Sequence, residues 1–158
     1  MGTRSTIALE FADGTVQQVY CHWDGYLDHN GKILLEHYSD PFKLRDLIDQ
    51  GGISSLGIEI GEKHAFSQFE LRAEEVQAYK ELTENWTTFY TRDRGEDLSI
   101  EKYKDIQDYR ENVYGEEYDY ILCQREGKAQ WFVRSYRTDG NWVALEVAFE
   151  EQAIAEEN

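Results

Sequence analysis

The sequence predicts an α+β domain: an antiparallel sheet of five or six strands, an N-terminal hairpin plus a C-terminal meander, with three or four helices mainly on one face. Three observations predict it. Apolar residues alternate with polar ones near both ends of the chain, whereas the middle repeats them at helical spacing. Four Trp, eleven Tyr and seven Phe supply a core in an otherwise polar chain. One proline and no low-complexity tract leave no place for a linker, so the 158 residues read as a single domain over 1–150 with an acidic tail at 151–158.

Residues 5–11 set Ile7, Leu9 and Phe11 between smaller or polar residues, the period of a half-buried strand. Asp13-Gly14 suits a tight hairpin in which both positions take positive φ. Residues 15–23 form the return strand, and Gly25 lets the chain turn after it. A helix is expected over 30–38. Asp40-Pro41 opens another, because aspartate accepts from free amides at the N-cap and proline suits the first helical position. Leu44, Leu47 and Ile48 form its stripe, and Gly51-Gly52 end it. Residues 53–69 read as an irregular excursion. Residues 72–85 carry Val76, Tyr79 and Leu82 on one helical side. A short strand is expected at 87–91, a charged loop at RDRGED, and a helix over 101–112 that buries Tyr103, Ile106, Tyr109 and Val113. Strands at 118–124, 129–136 and 142–149, joined by REGK and RTDGN turns, close the chain.

Charge is the strongest global signal. Thirty-two acids against sixteen bases give a net charge of −16. Such a surface repels nucleic acid and anionic membranes, and attracts a basic partner. Acidity of this size also keeps a small protein in solution without further purpose. The sharper alternative is that carboxylates stand in for phosphates and occupy a protein's nucleic-acid channel. No run of about 18 apolar residues is present, and MGTRSTIALEF has no extended apolar signal core. Cys21 and Cys123 are too isolated for a disulfide framework or a zinc site. A cytoplasmic protein without cofactor or metal is expected.

The densest chemistry lies in YCHWDGYLDHNG, residues 20–31. On a strand, His22 and Asp24 share a side, the minimal parts of a general base and its orienter. Tyr20 and Trp23 are then expected to be buried. Asp28, His29 and His37 would have to fold back to complete a metal set, and no HxxxH, HExxH or repeated HxT supports one. A lone HxD is first of all a structural pair. Arg92 and Arg94 could fork a phosphate or carboxylate, or simply pair with Asp93, Glu96 and Asp97. Arg4 enters at the hairpin's open end and could join His22, with Tyr26 close by. Asp93, Glu96, Asp97, Glu116, Glu117 and Asp119 form the two carboxylate clusters best placed in sequence to meet a basic partner. No Gly-rich phosphate loop and no nucleophile elbow occur.

MGTRSTIALEFADGT, VYCHWDGYLDHNGKILLEHY, ISSLG, TTFYTRDRGED and EEYDYIL together resemble a family of small acidic proteins encoded by bacteriophages and prophages. The similarity runs over most of the chain and is most distinctive through HWDGY and NGKILLEHY. The family brings no established activity and no assigned site. What the resemblance implies is an accessory protein made inside a bacterium, a class rich in inhibitors of restriction and CRISPR immunity, where strong acidity often goes with imitation of nucleic acid.

Three functions compete on these grounds. The first is a non-enzymatic inhibitor of a host defence system that binds a basic, nucleic-acid-binding protein surface. The second is a binding protein, or sponge, for a small anionic nucleotide signal held by Arg4, His22, Asp24, Tyr26, Arg92 and Arg94. The third is a hydrolase using His22 and Asp24. The charge is present whatever the fold, whereas both pocket readings need distant segments to converge, so the inhibitor leads.

Overall fold

In the computed structural model, which describes residues 2–157, eight strands form one mixed sheet. The strands are β1 Ser5–Glu10, β2 Val16–Cys21, β3 Ile53–Ser55, β4 Thr88–Phe89, β5 Glu101–Tyr103, β6 Tyr118–Arg125, β7 Lys128–Ser135 and β8 Val143–Ala144. The order is β4-β3-β2-β1-β6-β7-β8. β5 also pairs with β2, along Val16–Gln18, while β3 takes the same edge at Cys21. The helices are α1 Lys32–His37, α2 Pro41–Asp49, α3 Val76–Thr83, α4 Tyr90–Arg94, α5 Ile106–Asn112 and α6 Leu145–Glu157.

The mixed class is as expected; the wholly antiparallel sheet is not. β1 runs antiparallel to β2 but parallel to β6, and β2 runs parallel to β3. Alternation reports which side chains face a core and says nothing of strand direction. β1 and β6 are buried on both faces over residues 5–10 and 118–123, as central strands in a covered sheet must be.

Helices cover both faces, not one. Ile7, Leu9, Tyr120, Leu122 and Val133 pack under Leu34 and Tyr38 of α1 or its end, Leu44, Leu47 and Ile48 of α2, and Leu145 and Ala148 of α6. Ala8, Val16, Ile121 and Cys123 pack on the opposite face with Tyr103 and α5's Tyr109, which meet edge to face at 5.2 Å. Burying that second face is what stops the sheet from having a wet side.

Several element boundaries differ from the sequence reading. Residues 101–103 are strand, because β2 would otherwise expose unpaired backbone groups at Val16–Gln18. Residues 53–55 are strand within the supposed excursion. RDRGED opens as the end of α4, closed by Gly95 in the left-handed region. The last strand stops after Val143–Ala144, and residues 145–157, expected as strand and then frayed end, form the helix α6. Residues 143, 145, 147 and 149 alternate as in a strand. Burial instead falls on Leu145, Ala148 and, in part, Phe149 and Gln152, the spacing of a helix. Asp40 caps α2 by accepting from the Phe42 amide at 3.0 Å, with Pro41 at the first position. In the first hairpin, of the Asp13-Gly14 pair, Gly14 alone takes positive φ.

Candidate functional site

The pairing that makes β1 central also builds a cleft. Ser5 lies opposite Cys21 on one side and Tyr118 on the other. The residues just beyond those strand ends, Arg4, His22 and Glu117, are therefore brought to one end of the sheet. The Arg4 amide donates to Glu117 Oε2 at 2.6 Å, and the Tyr118 amide donates to the Arg4 carbonyl at 3.3 Å. Gly2, Arg4, His22, Trp23, Glu116 and Glu117 line a cleft of about 440 Å³. A smaller hollow of about 210 Å³, lined in part by Thr6, Gln18, Tyr20 and Tyr114, shares Glu116 with it.

Within the cleft, His22 is paired with Tyr20. The phenol oxygen and Nδ1 sit 2.7 Å apart, and burial pushes the Tyr20 phenol above its ordinary pKa. The His22 ring also meets Trp23 edge-on at 4.7 Å. Backbone bonds from the His22 and Trp23 amides to the Ile53 and Ser54 carbonyls, both 3.0 Å, extend the sheet one step past β2. The arrangement offers one imidazole with a defined partner, one guanidinium and two carboxylates around an aromatic wall.

The expected His22–Asp24 pair does not form. Asp24 takes φ +57, which breaks the strand alternation that would have aligned the two. No ion pair or hydrogen bond joins their side chains among the described residues. Trp23 is 42% exposed instead of buried, and Tyr20 is half-buried on His22's own side. Tyr26 is exposed, stands beside the His29 ring and does not line the cleft.

Much of the 20–31 stretch is a structural knot. Asn30 is fully buried, and its Nδ2 donates to Ser5 Oγ, Cys21 Sγ and the Trp23 carbonyl at 3.2–3.3 Å. Gly25 donates to the Thr3 carbonyl at 2.8 Å and accepts from the Tyr120 hydroxyl at 2.6 Å. A Cβ at Gly25 would lie 2.7 Å from that of Ser5, so only glycine fits there. Both cysteines are buried, and burial pushes each thiol up to about 11, far from a nucleophile's value. Asn30 reads in the sequence only as the first residue of a helix, which hides its role; Tyr20 is legible, lying two residues before His22 on the same strand face.

The other candidates divide sharply. Arg92 donates to Asp93 and to the carbonyls of Ile60, Gly61 and Thr87, so it holds a loop together from inside. Arg94 pairs with Glu96 and lies over the rings of Phe66 and Tyr90. Neither lines the cleft with Arg4 and His22. Asp93 and Asp119, expected as partner-binding carboxylates, are buried at 8% and 1% exposure. Asp93 accepts from the amides of His64 and Phe89, and Asp119 from Thr6 Oγ1, the Glu116 amide and Arg134. Glu96, Asp97 and Glu117 are exposed and Glu116 is half-buried.

The buried acids among the described residues are Glu10, Asp93 and Asp119, and each faces its own arginine: Arg125, Arg92 and Arg134. Each of these acids has a counter-charge beside it, and the other acids of the described residues are half-buried or exposed, so the negative excess lies toward the surface. Among the described residues no group of three or more His, Cys, Asp or Glu is placed to hold a metal ion, and no helix is long and apolar enough to cross a membrane. Comparison of the chain with protein-family models, with curated proteins and with solved structures gives no match.

Proposed function

We propose that the protein is a non-enzymatic, phage-encoded inhibitor that binds the basic, nucleic-acid-binding surface of a bacterial defence protein, of restriction or CRISPR type, one to one. Its exposed carboxylates stand where that target otherwise meets phosphates. The observation that supports this reading is the separation of charge: acids in the interior are each matched by an arginine, and the negative excess lies toward the surface. An acidic exterior of this size speeds association with a basic groove, and the attraction weakens with salt. The sequence resemblance to phage accessory proteins makes a defence enzyme the first partner to test.

The test is phage plating on bacteria that carry a restriction or CRISPR system and express the protein. Wild type is expected to restore plating. Joint substitution Glu96→Gln, Asp97→Asn, Glu116→Gln and Glu117→Gln is expected to lose it while the purified variant keeps its circular dichroism. His22→Ala is expected to retain inhibition. Loss in His22→Ala with full activity in the neutralised variant would overturn the proposal.

One observation favours a second reading, a small-molecule site. The Tyr20–His22 pair stands beside Arg4 in an open cleft, as a general acid–base group would. The expected arginine clamp for a nucleotide is reduced there to Arg4, facing two carboxylates, which is why this reading ranks second.

A further inference from the structure

The segment that runs from the 3-10 turn Gln68–Glu70 through a second turn, Ala73–Glu75, into α3 lies outside both cores. None of these three pieces contains a buried residue. They nevertheless carry apolar side chains at helical spacing. Leu71, Ala78 and Leu82, with Ala65 and Tyr79, line an open groove of about 420 Å³. Leu82 is 62% exposed, and Phe69, on a turn packed against α3, is 89% exposed. An eight-residue helix is too short to be stable by itself, and α3 is held only by its half-buried Val76, Tyr79 and Thr83, with the Tyr79 hydroxyl donating to the Ala65 carbonyl at 2.7 Å.

The border of the groove selects what covers it. Glu74 and Glu75 line it, and Glu70 and Glu81 stand exposed on the same elements. Arg72 is tied to Glu75 Oε1 at 3.1 Å and stands 4.0 Å from Glu74 Oε1, and Lys80 is exposed on α3, so Glu70, Glu74, Glu75 and Glu81 still outnumber the cations of these elements. A second copy of this chain would set Glu74 and Glu75 against themselves and −16 against −16. A segment with apolar anchors flanked by lysines or arginines meets both features at once.

We propose that the α3 groove docks an amphipathic, basic helix of a partner protein, its apolar anchors spaced three and four residues apart. The proposal rests on the reading of the protein as a binder of a basic partner, and adds where that partner is gripped and by what shape.

The probe is a synthetic helix of about 18 residues, five turns, made of leucine and lysine with the leucines on one face. Its control has the same composition in an order that leaves no apolar face. Affinity is read by fluorescence anisotropy and the contact surface by amide chemical shifts. The ordered peptide is expected to bind with shifts centred on Leu71, Ala78 and Leu82. Leu82→Ser is expected to weaken it about tenfold or more, and Glu74→Gln with Glu75→Gln to flatten its salt dependence. The control peptide is expected to bind more weakly and to ignore Leu82→Ser. Absence of binding, equal affinity in Leu82→Ser, shifts on another face, or a dimer of the free protein that Leu82→Ser abolishes would each overturn the proposal.

Phage plating keeps this result separate from the inhibitor reading. Inhibition that survives Leu82→Ser but not neutralisation of Glu96, Asp97, Glu116 and Glu117 sinks the groove alone. Peptide binding that depends on Leu82, in a protein that inhibits nothing, sustains the groove and sinks the inhibitor.

Discussion

Asp119 holds three donors at once, and that number explains why it is inside. Its Oδ1 accepts from Thr6 Oγ1 at 2.7 Å and from the Glu116 amide at 3.0 Å, while Oδ2 meets the Arg134 guanidinium at 3.0 Å. A charge out of water is tolerated only when its acceptor sites are filled and a counter-charge is near. Asp119 meets both conditions, and through the Glu116 amide it also fixes one wall of the cleft. Asp119→Asn should therefore destabilise the fold by about 3 kcal/mol, since it leaves a partly buried guanidinium without its partner. Glu117→Gln, at the exposed surface, should stay within about 0.5 kcal/mol of wild type. Urea midpoints at neutral pH measure both, and equal midpoints would show that the buried pair contributes nothing particular. This contrast is also why the carboxylates chosen for binding tests exclude Asp93 and Asp119: their loss would be read as lost binding when the fold had failed. Charge type was legible in the sequence at all six carboxylates, but burial was not. Asp119 looks no different from Glu117 until the β6–β7 pairing sets Arg134 opposite it. Asp93 with its neighbour Arg92 looks no different from Glu96 with Arg94 until the Ile60, Gly61 and Thr87 carbonyls take up the Arg92 guanidinium.

Elements set by local chemistry or by a short hairpin were readable, and those set by pairing between distant segments were not. α2 follows from residues within one turn of its start, where Asp40 and Pro41 act without regard to the rest of the chain. The turn between β6 and β7 is equally local: Glu126 and Gly127 both take positive φ, as a two-residue hairpin needs. β5 exists because β2 has a free edge, a fact located about eighty positions earlier in the chain. The same limit governed the site: Arg4 and His22 were expected to meet because one hairpin joins them, whereas Glu116 and Glu117 arrive through the parallel β1–β6 pairing. α6 is the sharpest case, since its first residues fit a strand and its last fit a frayed tail. Proline at an exposed position within it decides between the two. Glu150 is exposed, so Glu150→Pro loses no packing, yet in a helix it removes a backbone hydrogen bond and clashes with the preceding turn. The variant should lose about 3 kcal/mol of stability. An unchanged melting curve would return residues 150–157 to the status of a tail.

Across the whole molecule, the interior also holds neutral phenols and thiols that ionise only in alkali. Burial pushes the phenols of Tyr109 and Tyr120 well above their ordinary value and that of Tyr38 up to about 12. The thiols of Cys21 and Cys123 rise to about 11 for the same reason. In the unfolded chain these groups release their protons near pH 10 for tyrosine and about 8.5 for cysteine. Between those values and the folded ones, the unfolded state binds fewer protons than the folded state, so stability falls as pH rises. Their full contribution is present below about pH 8 and is lost progressively through pH 11 and 12. Titration followed at 295 nm should then show exposed tyrosines ionising first and the buried ones ionising only as the circular dichroism of the fold disappears. Rising negative charge pushes in the same direction, because each new phenolate adds to a molecule already at −16. Salt separates the two causes. Repulsion between surface charges is screened over roughly 8 Å at physiological ionic strength, whereas the cost of ionising a buried phenol is not. If burial dominates, 0.5 M sodium chloride, on the order of three times physiological strength, should leave the alkaline midpoint nearly where it was. A midpoint that moves well upward with salt would assign the alkaline unfolding to the acidic surface, and eleven tyrosines ionising together near pH 10 with the fold intact would remove the buried phenols from the account.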